Sequence, residues 1–215
     1  MNRKMQIVLI TLCMALLLAW GGLSTASAQV GLKFDHATNP TDAMVCGVIP
    51  QANWNRTVLD GTVAEPGSSM LDPKDATGAP VTGMKIEWKT NVGQYNTAMT
   101  GASAAFPNRY LFNNALYGSG INRGRISLTG VPYASYAVII YNMSRWGIVP
   151  EYWDKNGDPA TQVWGLNQLA TEYVASDGSF VRATGTDAAS ANLCNYWAFT
   201  GITSANVTFN WSCPA

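Results

Sequence analysis

The sequence predicts an all-β protein, an antiparallel β-sandwich in one domain that follows a short export signal. One segment, Val81–Lys89, alternates between apolar and polar residues, as a strand with one buried and one exposed face does. Further short apolar segments follow it, separated by turn-forming residues at the spacing typical of a sandwich. Helix signals are weak, and the strongest, Asn108–Tyr117, is bounded closely by Pro107 and Gly118.

The strands are predicted from alternation and turn signals. In Val81–Lys89 the two faces carry different residues, Met84, Ile86 and Trp88 on one and Lys85, Glu87 and Lys89 on the other. The remaining predicted strands are Arg125–Leu128, Tyr136–Tyr141, Gln162–Leu166, Glu172–Ala175, Ser179–Ala183, Asn195–Thr200 and Asn206–Trp211. Tyr136–Tyr141 is apolar on both faces, which predicts a central strand. Glu65–Pro80 and Asn142–Thr161 are predicted to be long loops.

Residues 1–28 predict a secretory signal peptide, and residues 29–215 a mature β-sandwich domain. The signal has a basic start with Arg3 and Lys4, an apolar run from Ile7 to Trp20, and the small residues Ala26-Ser27-Ala28 before Gln29. Because the apolar run is shorter than the roughly 20 residues of a spanning helix, we favour cleavage over an uncleaved membrane anchor. The mature protein is therefore expected to be secreted, in the extracellular space or the periplasm.

The charge balance excludes several classes of partner. The chain has 215 residues, of which 13 are basic and 13 acidic, so no basic surface for nucleic acid or an anionic membrane is expected. We therefore expect no nucleic-acid partner and no membrane association after signal cleavage. The single histidine, His36, argues against a zinc site and against a Ser-His-Asp triad except through that residue.

Three cysteines follow the signal peptide, Cys46, Cys194 and Cys213. If the last two predicted strands form a hairpin around Gly201–Ser204, Cys194 and Cys213 lie opposite each other, which predicts a disulfide. Closing that loop would stabilise the fold by about 3 kcal/mol in the chain-entropy model. Cys46 is then left as a buried thiol or as an intermolecular link that makes an oligomer, and its pairing with either other cysteine stays open.

Three segments together resemble a known group of proteins. They are Cys46–Asn55 (CGVIPQANWN), Ile126–Tyr141 with its Val131-Pro132 step, and Asn195–Ile202 (NYWAFTGI). This order resembles poorly characterised exported bacterial proteins of the planctomycete type, whose domain begins with a G-V-V-P-x-x-N-W-N box. The resemblance implies a jelly roll of the galactose-binding type, a fold shared by many carbohydrate-binding modules. The sorting tail that many of these proteins carry has no counterpart here, which indicates release.

Two groups of residues are candidates for ligand binding. Asn53, Trp54 and Asn55 would place two amides and an indole on one loop, a combination that suits a sugar because amides bond hydroxyls and rings pack on C–H groups. The alternative is structural, with a buried Trp and Asn side chains that close turns. Trp146, Tyr152 and Trp153 lie in the predicted loop Asn142–Thr161, where they could form an exposed aromatic patch or a hydrophobic cluster beneath the loop.

The same loop holds a candidate metal site. Asp154, Asn156 and Asp158 alternate as oxygen ligands do at the start of a calcium loop, which suggests one structural Ca²⁺. A plain Asn-Gly turn explains the segment better, since Gly157 precedes Asp158 and no carboxylate stands at the twelfth position. No other cofactor is expected.

No catalytic constellation is evident. The carboxylates available to a glycosidase are Glu87, Glu151, Asp154 and Glu172, and the sequence does not pair them. The function expected is therefore a secreted, non-enzymatic β-sandwich that binds glycan or associates with a cell-surface polymer or matrix. The alternatives are a polysaccharide-acting hydrolase and a structural surface protein that self-assembles through Cys46 or through edge strands.

Overall fold

The structure is a computed structural model that describes residues 29–35, 45–58, 68–90, 93–95, 108, 111, 115–117, 123–142, 148–167 and 179–214. The predicted signal peptide, His36, Trp146 and the predicted strand Glu172–Ala175 lie outside these residues. Within the described part of the chain the regular structure is β-strand, without an α-helix, as the sequence predicts.

The described residues form thirteen strands. In chain order they are β1 (Leu32–Asp35), β2 (Asn55–Val58), β3 (Ser68–Leu71), β4 (Lys85–Thr90), β5 (Gly93–Tyr95), β6 (Ala115–Tyr117), β7 (Gly124–Thr129), β8 (Tyr136–Tyr141), β9 (Pro150–Lys155), β10 (Asp158–Asn167), β11 (Asn192–Cys194), β12 (Tyr196–Ile202) and β13 (Val207–Ser212). The predicted strands around Val81–Lys89, Arg125–Leu128, Tyr136–Tyr141, Asn195–Thr200 and Asn206–Trp211 correspond to β4, β7, β8, β12 and β13.

Seven strands form the large sheet, in the order β11-β10-β9-β13-β7-β4-β3. A second sheet pairs β12 with β8, and two smaller pairs join β1 to β2 and β5 to β6. Pairing is antiparallel except between β1 and β2 and between β10 and β11. This mostly antiparallel arrangement of sheets is consistent with a β-sandwich.

Apolar side chains from both sheets meet in one buried cluster. The sheet of β12 and β8 is here called the small sheet. Phe199 on β12 and Phe209 on β13 have ring centroids 4.9 Å apart, which places the small sheet against the large one. Trp153 on β9 stacks on Trp211 of β13 at 5.7 Å. Trp197, on β12, is fully buried. Burial of large rings is strongly favourable, so these side chains help to hold the two sheets together.

The predicted hairpin between the last two strands is wrong. β12 pairs with β8, whereas β13 pairs with β7 and β9, so the chain crosses from one sheet to the other around Gly201. Hydrogen bonds from Tyr136 Oη to the Ser204 carbonyl and from Val131 N to the Ala205 carbonyl hold this crossing. The residues between β12 and β13 do connect the two strands, but the strands lie in different sheets instead of pairing as a hairpin.

The largest correction concerns β9. The predicted loop Asn142–Thr161 contains the whole of Pro150–Lys155, a strand in the interior of the large sheet, and the start of β10. Its alternation is hidden because Glu151 points inwards and is fully buried, so a charged residue occupies an apolar position. A loop was predicted where a hairpin forms.

Other predictions also differ in detail. Tyr136–Tyr141 pairs with β12 alone among the described strands, rather than lying centrally. Ala115–Tyr117, at the end of the segment with the strongest helix signal, is a strand, and the predicted loop Glu65–Pro80 contains β3. Ser179–Ala183 has only a single bridge, between Arg182 and Tyr196. In the described part of the chain, no helix has the length and apolar character needed to cross a membrane.

Candidate functional site

The large sheet has one side turned towards the core and one turned away, here called the outer face. Alternation along β4 buries Ile86 and Trp88 and leaves Lys85, Glu87 and Lys89 on the outer face, as predicted. The same alternation places Arg125 and Ser127 of β7, Thr208 and Asn210 of β13, and Tyr152 and Asp154 of β9 on this face. The outer face is therefore mostly polar.

An apolar corner lies on the outer face where β9, β10 and β11 meet. We use this name for the side chains of Tyr152, Trp164, Pro150, Leu166 and Leu193. Tyr152 opposes Trp164, and their ring centroids are 4.7 Å apart. In the next row, Leu193 opposes Leu166, which opposes Pro150. Trp164 is buried, at 8% exposed, whereas Leu193 is 42% exposed and Tyr152 is half-buried, so the apolar surface that the corner presents to solvent comes mainly from Leu193 and Tyr152.

A polar row crosses four strands beside this corner. Lys89 opposes Arg125, Arg125 opposes Asn210, and Asn210 opposes Asp154. Asn210 Nδ2 donates to Asp154 Oδ1 at 2.8 Å. One step further along the strands, the hydroxyls of Ser127 and Thr208 are 2.9 Å apart. The face therefore combines a ring surface with amides, hydroxyls and cations.

The predicted ligand residues Asn53, Trp54 and Asn55, here called the Asn-Trp-Asn box, form hydrogen bonds with backbone groups of the protein itself. Asn55 Nδ2 donates to the carbonyls of Gly31 and Lys74 at 2.9 and 2.6 Å, and Asn55 Oδ1 accepts from Lys74 N at 2.8 Å. Asn53 Nδ2 donates to the Ala76 carbonyl at 2.8 Å. These contacts favour the structural alternative, in which the amides join three segments of backbone.

Trp54, between the two amides, is half-buried and belongs to an aromatic cluster on the small sheet. Its Nε1 donates to the Gln51 carbonyl at 2.9 Å, and its ring meets Tyr141 edge-on at 6.3 Å. Tyr141 contacts Phe180 and its cross-strand neighbour Tyr196. Burial raises the pKa of Tyr141 to about 12, and its Oη accepts a hydrogen bond from Val48 N. The box is thus fastened to β8.

Tyr152 and Trp153, the two described aromatic residues of the second candidate group, point to opposite sides of β9. Trp153 is 4% exposed and stacks on Trp211 in the core, whereas Tyr152 lies on the outer face. Among the described residues predicted as ligand contacts, Tyr152 is the one placed on the outer face. Trp164 and Leu193, its apolar neighbours there, could have been found by aligning the alternating positions of β10 and β11 with those of β9.

The three candidate calcium ligands each accept hydrogen bonds within the β9–β10 hairpin or from the neighbouring strand β13. Asp154 Oδ1 accepts from Gly157 N and from Asn210, Asn156 Oδ1 accepts from Thr208 N, and Asp158 Oδ1 accepts from Ala160 N. The described residues contain no group of three or more His, Cys, Asp or Glu side chains able to hold a metal ion. The Asn-Gly turn and its contacts with β13 occupy these oxygen atoms, and calcium binding stays a prediction.

The predicted Cys194–Cys213 disulfide is not formed. Both are free, buried thiols. Cys194 ends β11, Cys213 directly follows β13, and β10 and β9 lie between those strands. Three strand spacings amount to about 14 Å, whereas a disulfide requires Cα atoms within about 7 Å. The Cys46 side chain is also buried, at 2% exposed, which does not favour a link between chains.

A cluster of buried polar side chains surrounds Glu151, the second residue of β9. Glu151 is fully buried, and its Oε1 accepts from Asn142 Nδ2 at 2.6 Å. Its Oε2 accepts from Trp211 Nε1 at 3.0 Å and from the Arg123 guanidinium at 3.1 Å. Arg123 also lies 5.3 Å from the centre of the Trp211 ring. The ion pair with Arg123 and the hydrogen bonds thus offset the cost of burying the Glu151 carboxylate, and the cation–π contact helps to hold Arg123 in place.

Burial raises the pKa of Glu151 to about 7. The hydrogen bond from Trp211, the charge of Arg123, and hydrogen bonds from Asn167 and Asn142 oppose that shift. The Asn167 side chain is 2% exposed, and its Oδ1 has no hydrogen-bond partner within the described structure. Burial also raises the pKa of the nearby Cys194 thiol to about 12.

The predicted hydrolase carboxylates do not share a cleft in the described structure. Glu151 points into the core, whereas Asp154 lies on the opposite side of the same strand. Glu87 is on the outer face of β4 and pairs with Lys85 Nζ at 2.8 Å. Glu172 lies outside the described residues. Of the three carboxylates whose positions are described, no two share one face of a strand as an acid and base pair would require.

Comparison of the chain with protein-family models, with curated proteins and with solved structures finds no match in any of the three. The resemblance to exported planctomycete-type proteins therefore stays a prediction from the sequence. The function of the chain is inferred from the chemistry of its own side chains.

Proposed function

We propose that the protein is an exported, non-enzymatic β-sandwich that binds glycan on the outer face of its large sheet. The observation that carries this proposal is the apolar corner beside the polar row. A sugar is amphipathic, with C–H groups that pack on a ring and hydroxyls that require hydrogen-bond partners. Both kinds of surface lie on the same side of the large sheet, and they meet on β9.

Tyr152 is the centre of the proposed site. It is half-buried, it packs against Trp164, and Trp164 Nε1 donates to Gln162 Oε1 at 3.2 Å, so the pair is held in place before any ligand arrives. Rings held by neighbours lose little conformational freedom on binding, which favours affinity. The flat geometry of a β-sheet suits an extended polymer better than a small molecule that needs a deep pocket.

The sequence supports the remaining parts of the proposal. Residues 1–28 have the pattern of a signal peptide, which favours a location outside the cytoplasm. The resemblance to exported bacterial proteins favours a jelly roll of the galactose-binding type. We infer a cell-surface or matrix polymer as the partner, reached after cleavage of the signal.

Affinity electrophoresis through gels that contain soluble polysaccharides tests this function. The mature protein should be retarded by at least one polymer in a panel of hydroxyethyl cellulose, xylan, galactomannan and polygalacturonate. Tyr152→Ala should weaken the retardation roughly tenfold, because the ring contact is lost, whereas Tyr152→Phe should retain most of it.

Leu71→Ala is the matched control for that experiment. Leu71 is 66% exposed and opposes Lys85, so it lies on the outer face but on the far edge strand. Its truncation should leave binding unchanged. No retardation by any polymer would argue against glycan binding, and folded Tyr152→Ala that binds like the wild type would show that the outer face is not the site.

A further inference from the structure

Two cations stand directly opposite each other on the outer face. Lys89 on β4 and Arg125 on β7 are cross-strand partners, and both are exposed. Side chains in such positions have Cβ atoms about 5 Å apart, and like charges there destabilise a sheet. The pair therefore costs the folded protein some stability unless an anion lies between the two charges.

The described carboxylates do not supply that anion. Glu87, the nearest acidic residue on β4, pairs with Lys85. Asp154, at the other end of the polar row, accepts hydrogen bonds from Asn210 and Gly157. The other ion pair in the described structure joins Arg123 to the buried Glu151. Neither Lys89 nor Arg125 has an ion-pair partner among the described residues, which leaves a local positive surface on a chain with balanced charge.

The cations and the apolar corner are close enough for one ligand. Arg125 and Asp154 are separated by one strand, β13, and Tyr152 is two residues from Asp154 on β9. Two strand spacings and one two-residue step give a separation of about 12 Å between the Cα atoms of Arg125 and Tyr152. A short oligosaccharide segment can span this distance, with one ring on Tyr152 and an acidic group at the cations.

We infer that the ligand of the outer face is an acidic polysaccharide, whose carboxylate or sulfate groups bind between Lys89 and Arg125. This inference rests on the proposed function, because it assigns the chemical class of the glycan that the same face binds. Carboxylate and sulfate share the chemistry that the guanidinium recognises, two oxygens that accept parallel hydrogen bonds.

Matched pairs of polymers that differ in charge test the inference. Polygalacturonate is compared with its methyl ester, and dextran sulfate with dextran, by isothermal titration on the mature protein. At least one charged polymer should bind roughly tenfold more tightly than its neutral counterpart, and raising NaCl from about 50 to about 500 mM should weaken that binding. The two pairs distinguish a carboxylate ligand from a sulfate ligand.

Variants then assign the effect to the two cations. Lys89→Gln with Arg125→Gln should lower affinity for the charged polymer to that for the neutral one, about tenfold, and should not lower the midpoint of thermal unfolding. Lys74→Gln, which removes an exposed cation from the segment between β3 and β4, is the control and should bind like the wild type.

The outcomes separate this inference from the proposed function. Equal binding of charged and neutral polymers, lost in Tyr152→Ala but kept in the double variant, would overturn the acidic ligand and leave glycan binding in place. Binding of neither polymer pair, together with no retention on the wider panel, would overturn both.

Discussion

At the scale of single residues, asparagine amides hold together segments that lack regular strand pairing. Asn55 joins the backbone of Gly31 to that of Lys74. Asn195, also buried, donates to the Ser179 carbonyl and accepts from Val181 N. An amide matches a peptide group in having one donor and one acceptor side, so it can satisfy backbone groups that no strand pairs. Part of the amide-rich composition therefore serves the architecture.

Asn55→Ala should lower the free energy of unfolding by about 3 kcal/mol. The substitution removes three hydrogen bonds at a side chain that is 9% exposed; the Lys74 N–H and carbonyl lose their bonds to the amide, whereas the Gly31 carbonyl still accepts from Asn55 N. Urea unfolding followed by tryptophan fluorescence measures the loss.

Asn53→Gly is the matched control, because it removes one amide contact while glycine tolerates the φ of 52° at this position. We expect it to cost about 1 kcal/mol. If Asn55→Ala instead left stability unchanged and abolished retention on polysaccharide, Asn53, Trp54 and Asn55 would form a ligand site rather than a structural one.

Glu151 shows what single-residue patterns fail to reveal. A glutamate between Pro150 and Tyr152 is ordinarily exposed, and burial of the charge becomes favourable only with partners. Those partners are 9, 28 and 60 residues away, at Asn142, Arg123 and Trp211. The sequence offers no local signal that brings these side chains together, so their cluster is found only in the folded chain.

At the scale of elements, the β9–β10 hairpin carries the half-buried Tyr152 ring of the proposed site. Its two-residue loop, Asn156-Gly157, has φ angles of 60° and 75°, which is the conformation of a type I′ turn. Glycine and asparagine tolerate these angles, so the turn pairs Lys155 with Asp158, and a register shift between Asp158 and Val163 then brings Trp164 opposite Tyr152.

Gly157→Ala should lower the free energy of unfolding by about 1 kcal/mol. An added Cβ would meet nothing closer than 4.0 Å, so the cost arises from the left-handed backbone rather than from a clash. Gly157→Asn should cost less, since asparagine adopts such angles more readily. Equal losses for the two variants in urea unfolding would contradict the conformational explanation.

Element by element, alternation predicts strands well where the inner positions are apolar. β4 follows its predicted pattern, with Met84, Ile86 and Trp88 all buried. β9 escapes prediction because Glu151 replaces an inner apolar side chain and because Asp154, on the outer face, is itself only 7% exposed. Pro150, Tyr152 and Asp154 of the proposed site therefore lie in a segment that the sequence predicts to be a loop, although Tyr152 itself is among the predicted ligand residues.

At the scale of the whole molecule, the sequence predicts which side of a strand is buried but not which strand lies beside it. β12 and β13 alternate in the same way whether they pair with each other or face each other across the core. The contact between Phe199 and Phe209 shows that they face each other. Pairing depends on long-range packing, and for that reason the all-β class was predicted correctly while the final hairpin and its disulfide were not.

Glu151 also makes the stability of the whole molecule depend on pH. Its pKa is about 7 in the folded protein, against an ordinary value of 4.5 when unfolded. Between these two values the folded state retains a proton that the unfolded state has lost, so folding is favoured by acid. The contribution is fully present below pH 4.5 and is lost as the pH rises through 7.

We therefore expect the free energy of unfolding to fall by roughly 2 kcal/mol between about pH 5 and about pH 8. Urea unfolding at a series of pH values measures this slope. Glu151→Gln, which has nearly the same shape but does not titrate, should flatten the slope whatever its effect on absolute stability. Glu87→Gln is the control, because that carboxylate lies on the outer face and its loss should leave the slope intact. A slope that rises with pH in the wild type, or one that persists in Glu151→Gln, would show that the buried carboxylate is not the group responsible.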